Sequence, residues 1–175
     1  MLQDKFIAVI ENHAELITLN WIKEVKTNPL TKSYRDISDE DLHSRVYSIY
    51  QNLSRYLIHS ENVFREIAEH YLRLGRARAH EGVKLSEVIY ASTLSRVELL
   101  NYIRSQGIIN DAVDMWRALE FFQRVTSFFD KVVYFIASGY ESAHMAESEV
   151  FKERGFFDKV VNSFAHWMIK DVKWQ

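Results

Sequence analysis

Residues 73–89, RLGRARAHEGVKLSEVI, carry three arginines, a histidine and two glycines seven positions apart, Gly75 and Gly82. Arginine is permanently charged, presents a rigid fork of donors and has no lone pair to offer a metal. Such a cluster suits a bound anion, the acidic groups of a cofactor or a plain solvated turn. Arg76 and Arg78 stand in this stretch, His70 and Tyr71 just ahead of it, and Tyr90 just after it. Arg96 follows inside an apolar stripe, where a charge must be paired or solvated. Glu66, Glu69 and Glu87 are its candidate partners. Two readings of Arg76, Arg78 and Arg96 stay open. Either ion pairs pin two helices at this joint, or the arginines and His70 line an anion or ligand pocket with Tyr71 and Tyr90 nearby.

Other constellations carry less. Glu141 and His144 have the i, i+3 spacing of one carboxylate–histidine pair of a di-iron bundle. That site needs a second such pair and two more inward carboxylates, and no second Glu-x-x-His occurs. Glu66 and His70, four apart, do not complete the set, so no metal site is expected. His13 falls on an apolar helix face and reads as a hydrogen-bonded core residue. No glycine-rich phosphate loop, Gly-x-Ser-x-Gly elbow or His-Glu-x-x-His motif is present. With no cysteine, disulfides, thiolate metal sites and a thiol nucleophile are excluded. The chain reads as a non-enzyme without a cofactor.

The elements that must position these residues are helices. The chain has 175 residues, 47% hydrophobic and 26% charged, with one proline and five glycines, too few breakers for many strands. A net charge of −2 makes no case for nucleic acid or an anionic membrane. The acidic N-terminal stretch is not a signal peptide, and no apolar run approaches the length of a membrane span. A cysteine-free chain of this kind suits the cytoplasm.

A first helix is predicted over 2–26, with Phe6, Val9, Ile10, His13, Ile17 and Val25 near one stripe, ended by Asn28-Pro29. Ser38-Asp-Glu-Asp opens a second, with Leu42, Val46, Ile49, Leu53 and Tyr56 inward. A third begins near residue 62 with Val63, Ile67, Tyr71 and Leu74 inward, and residues 73–89 end it and start a fourth. The fourth buries Leu85, Val88, Ser92, Ser95, Leu99 and Ile103, and Gln106-Gly107 ends it. Asn110 is the predicted cap of a fifth helix over 111–148, about 55 Å long at ~1.5 Å per residue. Its apolar residues spread around more than one face. One face serves the core, and the second calls for a partner, most simply another copy through Trp116, Phe121, Phe128, Phe129 and Phe135. A fully buried central helix is the other reading. Residues 149–175 read as an appended amphipathic helix, with Phe156, Phe157, Val160, Val161, Phe164 and Trp167, or as the start of an output domain, after a sensor domain over 1–148.

The glycines and His80 of the arginine stretch resemble the haem-contacting turn of bacterial sensor globins. The resemblance departs at Arg78, which stands where the proximal histidine would be and cannot ligate iron. A non-haem relative fits better. Asn20-Trp21, Ile37 to Leu42, His70, Arg76, Arg78, Gly82, Leu85 to Val88 and Arg96 occur in an order and spacing that resemble the RsbRD-type N-terminal domain. That family stands in stressosome RsbT co-antagonist proteins and ahead of some histidine kinases, and the pattern covers roughly residues 15–145. The resemblance implies an all-α, globin-like or four-helix-bundle sensor domain without catalysis, which dimerises and passes a signal to a kinase or STAS-type output. No such output follows in this chain, so it is expected to be a fragment or a sensor working in trans. The alternative function is a small-molecule carrier with an aromatic-lined pocket.

Overall fold

The computed structural model describes residues 2–57 and 61–146. Among them are α1 (Leu2–Asn12), α2 (Ala14–Thr27), a 3-10 turn (Lys32–Tyr34), α3 (Asp39–Gln51), α4 (Leu53–Tyr56), α5 (Glu61–His80), α6 (Leu85–Ser105) and α7 (Ala112–Ala146). No strand occurs among the described residues, and the fold is an all-α bundle. The predicted appended helix over 149–175 lies outside the described residues.

α7 is the axis of the bundle. α5 makes its most extensive packing against it, and α6 and α1 cover further parts of its surface. α2 packs on α3 and α6 and closes the other side. The face of α7 turned inward carries Ala118, Phe121, Val125, Phe128, Phe129, Val132, Phe135 and Ile136 at the period of one helix face. Phe121 stands 5.2 Å from Phe6 of α1, and Phe135 stands 5.6 Å from Phe64 of α5. Arg124 pins the same helix by donating to the Gln3 side chain at 2.7 Å and the Leu57 carbonyl at 2.8 Å.

Local signals account for most boundaries. Ser38 caps α3, its Oγ accepting from the Asp41 N–H at 3.1 Å. Asn28-Pro29 ends α2, and Gly107, at φ 61°, follows the end of α6. The cap of α7 lies one residue beyond the predicted Asn110. Asp111 Oδ1 accepts from the Asp114 N–H at 2.7 Å, while Asn110 donates its side chain back to the Ile108 carbonyl at 3.0 Å. A carboxylate at the positive end of a helix this long is the better electrostatic choice.

The predicted first helix is two. His13 breaks it at φ −117° and ψ 21°, with its Nδ1 2.7 Å from the Val9 carbonyl. The bend lets Phe6 and Ile10 on one side and Ala14 and Ile17 on the other all reach the core. His13 is left outside, exposed and 5.4 Å from the Tyr102 ring, rather than in the core.

Gly75 is also placed differently from its reading as part of a joint. It lies within α5, five residues before the last helical residue, and only Gly82 makes the turn. There the Gly82 N–H bonds the Ala79 carbonyl and the Val83 N–H bonds the Arg78 carbonyl, both at about 3 Å. That paired pattern, with Gly82 at φ 74°, is a Schellman end. It sets Arg78 in the last turn of α5, where a cation complements the helix dipole.

Candidate functional site

The Schellman turn holds Arg78 over a cavity between α2, α3, α5, α6 and α7. The cavity encloses about 40 Å³. Its wall is mostly apolar, with Trp21, Ile49, Tyr71, Ala91, Phe129 and Ile136 among the lining side chains. Two hydrogen-bonded side chains brace this wall. Trp21 donates its indole N–H to the Ala91 carbonyl at 2.9 Å. The Tyr50 hydroxyl bonds Oγ of the lining residue Ser95 at 2.8 Å and its carbonyl at 3.0 Å.

Two guanidinium groups and one phenol form the polar rim. Arg78 is 11% exposed and Arg45 14%, and both line the cavity with Tyr34. Glu81 is their common carboxylate. It bonds Arg78 directly and lies 3.7 Å from Arg45 Nη2. Arg45 Nη1 is buried with no hydrogen-bond partner. Burial lowers the Arg45 pKa, and the like charge of Arg78 lowers it further. The Tyr34 hydroxyl is pushed up to about 12 by burial, although Arg45 and Arg78 both oppose that shift. Glu87 sits close by, but its carboxylate accepts the Ser33 N–H at 2.7 Å. Tyr140 of α7 closes the rim by donating to the Val83 carbonyl of the turn at 3.0 Å.

The residues singled out in the sequence disperse. Arg78 and Tyr71 come together at the cavity. Arg76, two residues before Arg78, points elsewhere and donates to Ser142 Oγ of α7 at 2.8 Å. Arg96 pairs across to Asp130 of α7 at 3.3 Å, not with Glu66, Glu69 or Glu87. His70 is exposed, its ring edge-on to Tyr71 at 4.9 Å. Tyr90 is half-buried on α6 and takes no part in the cavity wall. The physical reason is helical phase: 76, 78 and 70 point three ways from one helix, and 90 and 96 point away from the α6 stripe.

The proposed dimer residues divide in the same manner. Phe121, Phe128, Phe129 and Phe135 are no more than 4% exposed within the single chain, so its own core covers them. Trp116, at 67% exposed, lies on the opposite side of α7 with Met115 and Leu119. The carboxylate–histidine pairs do not assemble either. Glu141, His144, Glu66 and His70 are all exposed, and no cluster of three metal-ligating side chains occurs among the described residues.

Sequence reasoning missed Arg45 and Tyr34. Arg45 carried a usable signal. It lies three residues after Leu42 and four before Ile49, inside the apolar stripe of its helix. Tyr34 falls between the Asn28-Pro29 stop and the Ser38 cap, and nothing local marked it.

Fold and site together define an all-α domain with a charged rim and no assembled catalytic constellation among the described residues. The model of the RsbT co-antagonist protein rsbRD N-terminal domain matches residues 21–149, and the chain belongs to that family. It is a regulatory, stressosome-associated domain family. No curated protein and no solved structure matches the chain. No helix among the described residues is long and apolar enough to cross a membrane.

Proposed function

We propose that this chain is a non-catalytic cytoplasmic sensor domain that dimerises and relays its signal along α7 to a kinase or STAS-type output. The observation that carries the reading is the double role of α7. One 35-residue helix lines the Arg45–Arg78 cavity with Phe129, Val132 and Ile136 and ties the neighbouring turn through Tyr140. At ~1.5 Å per residue it extends about 52 Å, so a change in packing at one end is carried to the other as a rigid-body shift. Family membership supports a regulatory role over a catalytic one.

Dimerisation is assigned to the outward side of α7, where Met115, Trp116 and Leu119 are each at least half exposed. Three large apolar side chains grouped on one surface favour a partner. Light scattering of the purified chain after size exclusion tests this. A dimer that Trp116→Glu with Leu119→Glu converts to a folded monomer is the expected result. A wild-type monomer removes the dimer from the reading. The carrier alternative is less favoured, because a cavity of about 40 Å³ falls well below the ~300 Å³ at which drug-sized pockets begin.

A further inference from the structure

We propose that Arg45 and Arg78 together bind the carboxylate of a small aliphatic monocarboxylate, whose short tail enters the cavity behind them. The proposal supplies the sensor reading with an input. It is tested by binding alone, so a monomeric or non-relaying chain leaves it standing.

Charge is the first observation. Two guanidinium groups share one carboxylate, Glu81, and only Arg78 is bonded to it. Glu87 is committed to the Ser33 N–H, and Asp41, one helical turn before Arg45, is exposed. Arg45 is thus left with one long ion pair and an unpartnered Nη1 in a poorly solvated place. A buried cation without partners is costly, and the usual remedy is an anion.

Geometry selects the anion. Arg45 Nη1 is a buried donor with no hydrogen-bond partner, on a side chain that lines the cavity together with Arg78. A guanidinium fork matches the two coplanar oxygens of a carboxylate. Behind the rim the wall turns apolar, with Val46, Ile49, Leu74, Val88, Val132 and Ile136. A volume of about 40 Å³ is several times the roughly 10–15 Å³ needed for one water, and admits a few carbon atoms. Charged rim and mostly apolar floor, with Ser92 and Ser95 its polar members, together specify an amphipathic ligand with a short tail.

The test titrates sodium butyrate into the full chain at constant ionic strength and follows the melting temperature. Sodium chloride and butylammonium serve as controls for head and tail. A saturable rise with butyrate, absent with both controls, is the expected outcome. An equal rise with chloride overturns the tail assignment, and an equal rise with butylammonium overturns the carboxylate site. Arg45→Gln should lose the butyrate response while melting no lower than wild type without ligand, because it removes a buried charge that faces Arg78. Should that variant fail to fold, Arg45→Lys keeps the charge but loses the fork, and should weaken butyrate at least about tenfold. An unchanged response in the folded variant overturns the proposal.

Discussion

Gly75 of α5 and Gly139 of α7 meet backbone to backbone. A methyl group on Gly75 would overlap the Ile136 carbonyl oxygen and stand 3.1 Å from the Gly139 Cα. A methyl on Gly139 would overlap the Leu72 carbonyl oxygen and stand 3.0 Å from both the Arg76 nitrogen and the Gly75 Cα. Both glycines are fully helical, so turn geometry does not require them. They are there because the two helices cross too closely for any side chain. The contact also sits between the cavity and the far end of α7, with Tyr140 the next residue and Ser142 about one turn on.

Gly75→Ala and Gly139→Ala should each destabilise the chain. Alanine gains about 1 kcal/mol of helix propensity at each position. Overpacking costs ~1–3 kcal/mol, and here the obstacle is backbone that cannot retract. Thermal melts should therefore fall for each variant. The double variant should cost less than the sum, since the first methyl already parts the helices. A melting temperature raised by either single change would disprove the close crossing.

Phe121→Ala should behave as a core mutation. Phe121 is fully buried within one chain, and Phe to Ala in a core costs ~3–5 kcal/mol. The loss should be the same at low and high protein concentration. A loss that vanishes on dilution would assign the ring to an interface between copies instead.

Tyr50→Phe removes a buried hydroxyl bonded to Ser95 on α6. The expected loss is about 1 kcal/mol, since the ring keeps its packing and only the hydrogen bond goes. Ser95→Ala in the Tyr50→Phe background should add much less than Ser95→Ala alone. Chemical denaturation of the four proteins in the cycle measures the coupling.

Glu98 makes one part of stability depend on pH. Burial raises its pKa, and the neighbouring carboxylate of Glu24 raises it further. A carboxyl group with a raised folded pKa favours folding when protonated. That contribution is present below the ordinary glutamate value and is lost as pH rises through the folded pKa. Glu98→Gln should therefore melt higher than wild type at pH 7, with the difference closing near pH 4. Equal melting temperatures at pH 7 would contradict the shift.

Much of this architecture was legible without coordinates. Of the predicted stripes, Leu42, Val46, Ile49 and Leu53 in α3 and α4 and Val88, Ser95, Leu99 and Ile103 in α6 are buried, while Tyr56, Leu85 and Ser92 are half-buried at the edges. The Ser38 cap, the Asn28-Pro29 stop and the Gly82 and Gly107 turns follow from local chemistry. These features depend on contacts within a few residues, so periodicity and capping rules reach them. The order of Trp21, His70, Arg78 and Arg96 also carried the family resemblance that the match over residues 21–149 established.

Only the tertiary structure decided which arginines share a place. Arg78 faces the cavity while Arg76 turns to Ser142 and Arg96 to Asp130, because a helix moves each residue by about 100° and the neighbouring helices choose what lies at each angle. It brought in Arg45 and Tyr34 from 33 and 44 residues before Arg78 in sequence, a distance over which no local pattern operates. It also divided α7, giving its phenylalanines to the core and leaving Trp116 outside. An apolar residue in the sequence records that burial is favourable. What covers it is settled only when the other helices have taken their positions.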